Sequence, residues 1–144
     1  MNNDPIPDPC NVVRHCLRKY VDEDGDITSA AFKLRHEKNE EYLSVMWLEY
    51  FTDPTFQNKL DKVRGDLQHR RSLKPRDRLA TLNVGVTRDY VMSSMSDGRI
   101  LTFKHMPGRH NDNSHSGVFN IEPNGDEVAE LMVESVSDVS PAVP

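Results

Sequence analysis

The chain has 144 residues, 36% of them hydrophobic and 28% charged, with a mean hydropathy of −0.67. That length fits one domain of the usual ~100–150 residues, and a chain of this size buries roughly 68–70% of its unfolded surface, so it needs no disulfide or metal staple. A net charge of −5 and a pI near 5.6 argue against a nucleic-acid coat protein, which is basic as a whole, and no apolar run is long enough to span a bilayer.

The N-terminal MNNDPIPDP is acidic and punctuated by proline, with neither the basic start nor the apolar stretch of a secretory signal. Cys10 and Cys16 are too few for a disulfide framework. A cytoplasmic protein without a membrane partner is therefore expected. Residues 1–9 are expected to be a mobile lead-in and residues 137–144 (SDVSPAVP) a mobile tail, around one domain over 10–136.

The first ordered stretch, NVVRHCLRKYV, has apolar residues at Val12, Val13, Cys16, Leu17, Tyr20 and Val21. That spacing near four favours a helix capped by Asn11, while the alternation of Val13, His15 and Leu17 leaves a strand open. DEDGDIT is a turn. Leu43 to Phe51, rich in aromatic and aliphatic residues, is expected as a buried strand. The clearest helix is Pro54 to His69: Asp53 is a good N-cap, and Phe56, Leu60, Val63 and Leu67 line one face. LATLNVGVT then reads as a strand, RDYVMSSMS as a short helix capped by Thr87, RILTFKHM as a strand ended by Pro107-Gly108, and VFNI as a short strand. In PNGDEVAELMVESV a stripe of Val128, Leu131, Met132 and Val136 gives a closing helix. Three to four helices among separated short strands place the chain in the α+β class.

Chemistry-bearing residues concentrate in HMPGRHNDNSHSG, which holds His105, Arg109, His110, Asp112, Ser114, His115 and Ser116. A histidine tuned near neutral pH can do acid–base work there, Arg109 with His115 can hold an anion, and His105, His110 and Asp112 can ligate a metal. The structural counterpart is a hydrophilic loop whose side chains cap its own backbone. Ser114-His115-Ser116 is not read as a nucleophile, because an activated serine takes its base from across the fold, oriented by a third group. No G-x-S-x-G elbow is present either. Asp22, Asp24 and Asp26 resemble the start of a calcium loop, but Ile27 and Lys33 stand where that loop needs glycine and glutamate. Cys10, His15 and Cys16 lack zinc spacing, so no metal or other cofactor is expected.

Charge is segregated. Residues 59–78 hold eight basic side chains (Lys59, Lys62, Arg64, Arg70, Arg71, Lys74, Arg76, Arg78) against three aspartates, on an otherwise acidic chain. Such a ridge can steer an acidic partner or a nucleic-acid backbone. Aromatics do not interleave with it, which weakens a base-stacking platform.

The succession Arg14-His15, Ala31-Phe32, Leu43-Ser44-Val45, His105, Pro107 and Ser114-His115-Ser116-Gly117 resembles a group of small uncharacterised prokaryotic proteins of about this size. The resemblance covers most of the chain and carries no activity. It implies a compact prokaryotic domain in which Arg14, His15, Ser44 and His115 converge, serving as an accessory component of a larger bacterial system.

The absence of a catalytic signature, with charge blocks of opposite sign, favours an interaction module that binds a larger protein partner. The alternative is a small enzyme acting on a phosphate-bearing or nucleotide substrate through Arg14, His15, His105 and His115. A third reading is nucleic-acid binding through the ridge. Arg14, His15 and His115 lining one pocket would speak for the enzyme, and their scattering over the surface for the module.

Overall fold

Side chains along Asn11–Cys16 are buried on both sides of the backbone, and this segment is a strand at the centre of the sheet, not the helix expected there. A strand covered on both faces reads as a nearly continuous apolar run, which imitates helical spacing over a few residues. The computed structural model describes residues 3–108 and 111–144.

In chain order the elements are β1 (Asp4–Pro5), β2 (Asn11–Cys16), β3 (Leu43–Trp47), α1 (Phe56–Gln68), β4 (Arg78–Asn83), α2 (Val84–Ser94), β5 (Thr102–His105), β6 (His115–Phe119), α3 (Gly125–Glu134) and β7 (Val136–Pro141). Short 3-10 turns occupy much of the stretch between β2 and β3, and another, Leu48–Tyr50, follows β3. The strands form one antiparallel sheet in the order β1-β5-β6-β3-β2-β4-β7. The chain is a single α+β domain. No helix among the described residues is long and apolar enough to cross a membrane.

Each face of the sheet has its own core. Val12 and Cys16 of β2, Leu43 and Val45 of β3 and Ala80 and Leu82 of β4 point towards α2, α3 and the turn at Ser29–Phe32. Val13, Met46 and Leu79 point the other way, onto Leu60, Val63 and Leu67 of α1. Burying a leucine or valine of this kind is worth ~1.5–3 kcal/mol, so the α1 stripe is a sufficient reason for the helix to lie there. Phe56, expected on the same stripe, is only half-buried at its end.

Element ends follow local capping. Thr55, not Asp53, caps α1, its Oγ1 accepting from the Asn58 amide at 3.1 Å. The strand expected through Thr87 stops at Asn83, whose side-chain oxygen accepts from the Val86 amide and starts α2. Thr87 therefore lies inside the helix, fully buried, and caps nothing. The last helix ends at Glu134, and Val136 belongs to β7.

Both ends expected outside the 10–136 domain contribute to it. β1 pairs with β5 and leads into Ile6, only 4% exposed. β7 pairs with β4, Ala142 is buried, and Arg64 of α1 donates to the carbonyls of Pro141 and Ala142 at 2.7 and 3.2 Å.

One irregularity positions the site. β2 runs beside β4 for six residue pairs, and β3 beside β6 for four, but β2 and β3 pair only at Val12–Trp47 and Val13–Met46. Beyond those pairs the two central strands part, leaving a seam beside the end of α1.

Candidate functional site

The seam is closed by side chains. Arg14, the next residue of β2, is 5% exposed; its Nε donates to the Ala31 carbonyl and its Nη1 to the Ser44 carbonyl, both at 2.8 Å. The guanidinium thus takes the place of the missing ladder. No carboxylate among the described residues forms an ion pair with it. Burial, followed by the nearby Arg71, pushes its pKa down to about 10, which still leaves a cation at neutral pH.

Strand alternation puts His15, Ser44 and His115 on the α1 side of the sheet. His15 follows the parity of Val13, Ser44 that of Met46, and His115 lies directly opposite Met46. Arg14 has the parity of Val12 and Cys16 and reaches the cavity from the other face through the seam. Together with Arg14, Arg70, Arg71 and Asp112, the residues His15, Ser44 and His115 line a small cavity in which a water-sized molecule has about 10 Å³ to occupy. Arg70 and Arg71 come from the segment just after α1, and Arg70 Nη1 donates to Asp112 Oδ2 at 3.1 Å. Three guanidinium groups thus meet around one carboxylate, Asp112, and two imidazoles.

No family model, curated protein or solved structure matches this chain. The site therefore rests on its own chemistry, and the hydrogen bonds fix the tautomers of both histidines. His15 Nε2 lies 2.9 Å from Asp77 Oδ2, so it carries the proton and donates. Its Nδ1 then accepts, facing Arg71 Nη1 at 3.5 Å. Asp77, 2% exposed, is itself held by the Arg18 and Lys74 amides at 2.9 and 3.2 Å. His115 Nδ1 donates to the Met106 carbonyl at 2.8 Å, which leaves Nε2 as an acceptor 3.3 Å from the Ser44 hydroxyl. The Tyr42 ring packs edge-on against that imidazole. A Cβ at Gly117 would lie 2.5 Å from the Tyr42 ring and displace it, a reason for glycine at this position of β6.

Burial is the main force that lowers the pKa of both histidines. The arginines reinforce it, while Asp77 opposes it at His15, and the Met106 carbonyl and Asp112 oppose it at His115. In the unfolded chain each imidazole takes up a proton near pH ~6.5, whereas the folded one resists it, so the unfolded state binds more protons below that pH. The stability contributed by these two neutral rings is complete above pH ~6.5 and is lost as pH falls below it, at up to ~1.4 kcal/mol per pH unit for each ring. Urea melts at about pH 7.5 and 5.5 are expected to show the loss, and His115→Gln to flatten it. Equal stability at the two pH values would contradict it.

The remaining expected site residues separate. His105 lies opposite Ser116 on β5, on the other face of the sheet from His115, and packs against Trp47 and Tyr50 with its Nε2 donating to the Asn113 carbonyl at 2.7 Å. It is not part of the cavity, so the expected set of Arg14, His15, His105 and His115 loses one member to strand parity. Arg109 and His110 lie outside the described residues. Asp112 faces Arg70, so among the described residues the proposed metal trio is not assembled. Among the described residues of the loop before β6, Ser114 donates to Asp66 Oδ2 of α1 through its amide at 2.9 Å and its hydroxyl at 2.6 Å, and the Asn111 carbonyl accepts from Nδ1 of His69, the residue after α1.

The basic ridge divides as well. Arg64 is buried against the chain terminus, Arg70 and Arg71 turn into the cavity, Arg78 caps Pro75 and Asp77 carbonyls, and Lys62, Lys74 and Arg76 stay exposed, with Lys59 half-buried. Cys16 is fully buried and its thiol is pushed up to about 12, chiefly by burial, as suits a small hydrophobe. The carboxylates of Asp22, Asp24 and Asp26 approach within 4.8 Å of one another, but Asp22 Oδ1 is occupied by the amides of Asp24 and Asp26 in a surface turn.

Sequence reasoning left two contributors unnoticed. Asp77 counted only as a charge diluting the ridge, and the Met106 carbonyl, being backbone, carries no residue signal.

Proposed function

We propose that this protein binds a phosphate-bearing ligand in the cavity between β2, β3, β6 and the end of α1. The observation that carries this reading is the buried Arg14 guanidinium, held by two carbonyls and no carboxylate, with Arg71 at the same opening likewise outside any ion pair among the described residues. A buried cation is costly unless a counter-charge meets it, and a planar guanidinium matches phosphate oxygens with paired donors. Arg70, about a third exposed, forms the outer wall with the half-buried Arg71, so admitting a group larger than water requires these long side chains to swing outwards. The interaction module expected first from the sequence would use surface outside the cavity, such as the exposed Lys62, Lys74 and Arg76.

Titration with inorganic phosphate, followed by the imidazole resonances in NMR at low ionic strength, tests the site. Phosphate is expected to shift His15 and His115 and to raise the pKa of both, leaving exposed His36 unchanged. Arg14→Met or Arg71→Met is expected to weaken binding at least tenfold, about 1.4 kcal/mol. Imidazoles indifferent to phosphate would remove the reading.

A further inference from the structure

Ser44 meets every condition set for an activated serine except a sequence signature. Its hydroxyl stands on β3, the base that faces it stands on β6, and the orienting group, the Met106 carbonyl, lies beyond the end of β5. Ser44 is 71 positions from its base and meets it through the β3–β6 pairing, where Ser44 stands opposite Gly117 and Met46 opposite His115, while the Met106 carbonyl, nine positions from His115, is placed by the β5–β6 pairing. The serines beside His115 in sequence are used otherwise: Ser114 donates to Asp66, and Ser116 donates to the Ser114 carbonyl. Ser44 is half-buried and borders the cavity, so its oxygen is reachable from the side where the arginines converge.

We infer that Ser44 is the nucleophile of a phosphomonoester-cleaving centre, with His115 Nε2 as its base and Arg14, Arg70 and Arg71 as the groups that hold the phosphoryl oxygens. This rests on the phosphate-binding reading and adds a chemical step to it. The Ser44 Oγ–H proton passes to His115 Nε2 as Oγ attacks phosphorus. The Oγ–P bond forms, the bond from phosphorus to the ester oxygen breaks, and the imidazolium returns the proton to the departing alcohol. Water then adds to phosphorus with its proton going to Nε2, and the Oγ–P bond breaks as Ser44 regains a proton, releasing inorganic phosphate. No other reactant is consumed.

Three features favour this chemistry. The 3.3 Å Ser44–His115 separation is long for a hydrogen bond and typical of an unliganded catalytic pair that tightens when substrate binds. His115 is locked in the tautomer that leaves Nε2 free to accept, and its lowered pKa keeps it unprotonated at neutral pH. Arg14 donates to the carbonyl of Ser44 itself, so the cation is anchored at the residue that would carry the phosphoryl group. Charge building on the phosphoryl oxygens in the transition state is what fixed guanidinium groups stabilise.

The test uses the full chain with p-nitrophenyl phosphate, acid quench and mass spectrometry, alongside the phosphate titration. The expected result is release of p-nitrophenol with one phosphoryl group trapped on Ser44. Ser44→Ala is expected to lower the rate at least 100-fold while Arg14 and Arg71 still bind inorganic phosphate, which also shows that the variant is folded. The rate is expected to fall as pH drops through the His115 pKa, and His115→Gln to remove that limb. Phosphate binding without p-nitrophenol release or a Ser44 adduct would overturn the nucleophile and leave the binding reading standing. Turnover surviving in Ser44→Ala would overturn it too, and failure to bind phosphate would overturn both.

Discussion

Leu60→Ala lowers the unfolding free energy by ~2–5 kcal/mol, the span measured when a large buried aliphatic side chain is cut back to a methyl group. Leu60 is fully buried at the middle of the α1 stripe, in the core it shares with Val13, Met46, Val63, Leu67 and Leu79. Its loss removes the transfer free energy of the side chain and leaves a cavity between a rigid helix and a sheet strand, neither of which collapses easily. The helix also carries Asp66, which anchors the loop before β6, and leads directly to Arg70 and Arg71. Weakening it therefore loosens one wall of the cavity, so phosphate affinity is expected to fall with stability. A urea melt measures the first effect, and a loss below about half a kcal/mol would show that the stripe is not core.

Asp77→Ala is expected to cost a comparable ~2–5 kcal/mol, for a different reason. The carboxylate accepts three hydrogen bonds in a site only 2% exposed: from His15 Nε2, from the Arg18 amide and from the Lys74 amide. Alanine leaves all three donors unpaired, and each buried unsatisfied donor costs ~1–3 kcal/mol, with partial relaxation towards solvent limiting the sum. Asp77→Asn separates charge from geometry. With its oxygen in the place of Oδ2 it keeps the bonds from His15 Nε2 and the Lys74 amide, and it turns its N–H towards the Arg18 amide, so only that bond is lost and His15 keeps its proton on Nε2. Nitrogen chemical shifts of the His15 ring are expected to report the retained Nε2–H tautomer, with a smaller stability loss than in Asp77→Ala. Full stability in Asp77→Ala, or a His15 proton moved to Nδ1 in Asp77→Asn, would contradict the hydrogen-bond scheme.

The sequence by itself determined the α+β class, the single domain, the α1 helix with its buried Leu60, Val63 and Leu67, and the positions of the strands at 43–47 and 102–105. These depend on local signals: a stripe repeating at helical spacing, aromatic and β-branched clusters, and Pro or Gly at the ends. It also marked Arg14, His15, Ser44 and His115 as positions to watch. Only the tertiary structure decided which of them meet. Strand parity carried His105 to the opposite face from His115, and the short β2–β3 ladder opened the seam that Arg14 fills. The apolar spacing of β2 favours a helix because a central strand buried on both faces loses the period of two that distinguishes a half-exposed one. The polar, proline-bearing ends 1–9 and 137–144 predict mobile segments because such residues look alike in a tail and in an edge strand, and only pairing with β5 and β4 separates the cases. The serine–histidine contact is the clearest instance: its members are 71 positions apart, and antiparallel register, which no local pattern encodes, sets them at diagonal positions on one face of the β3–β6 pair.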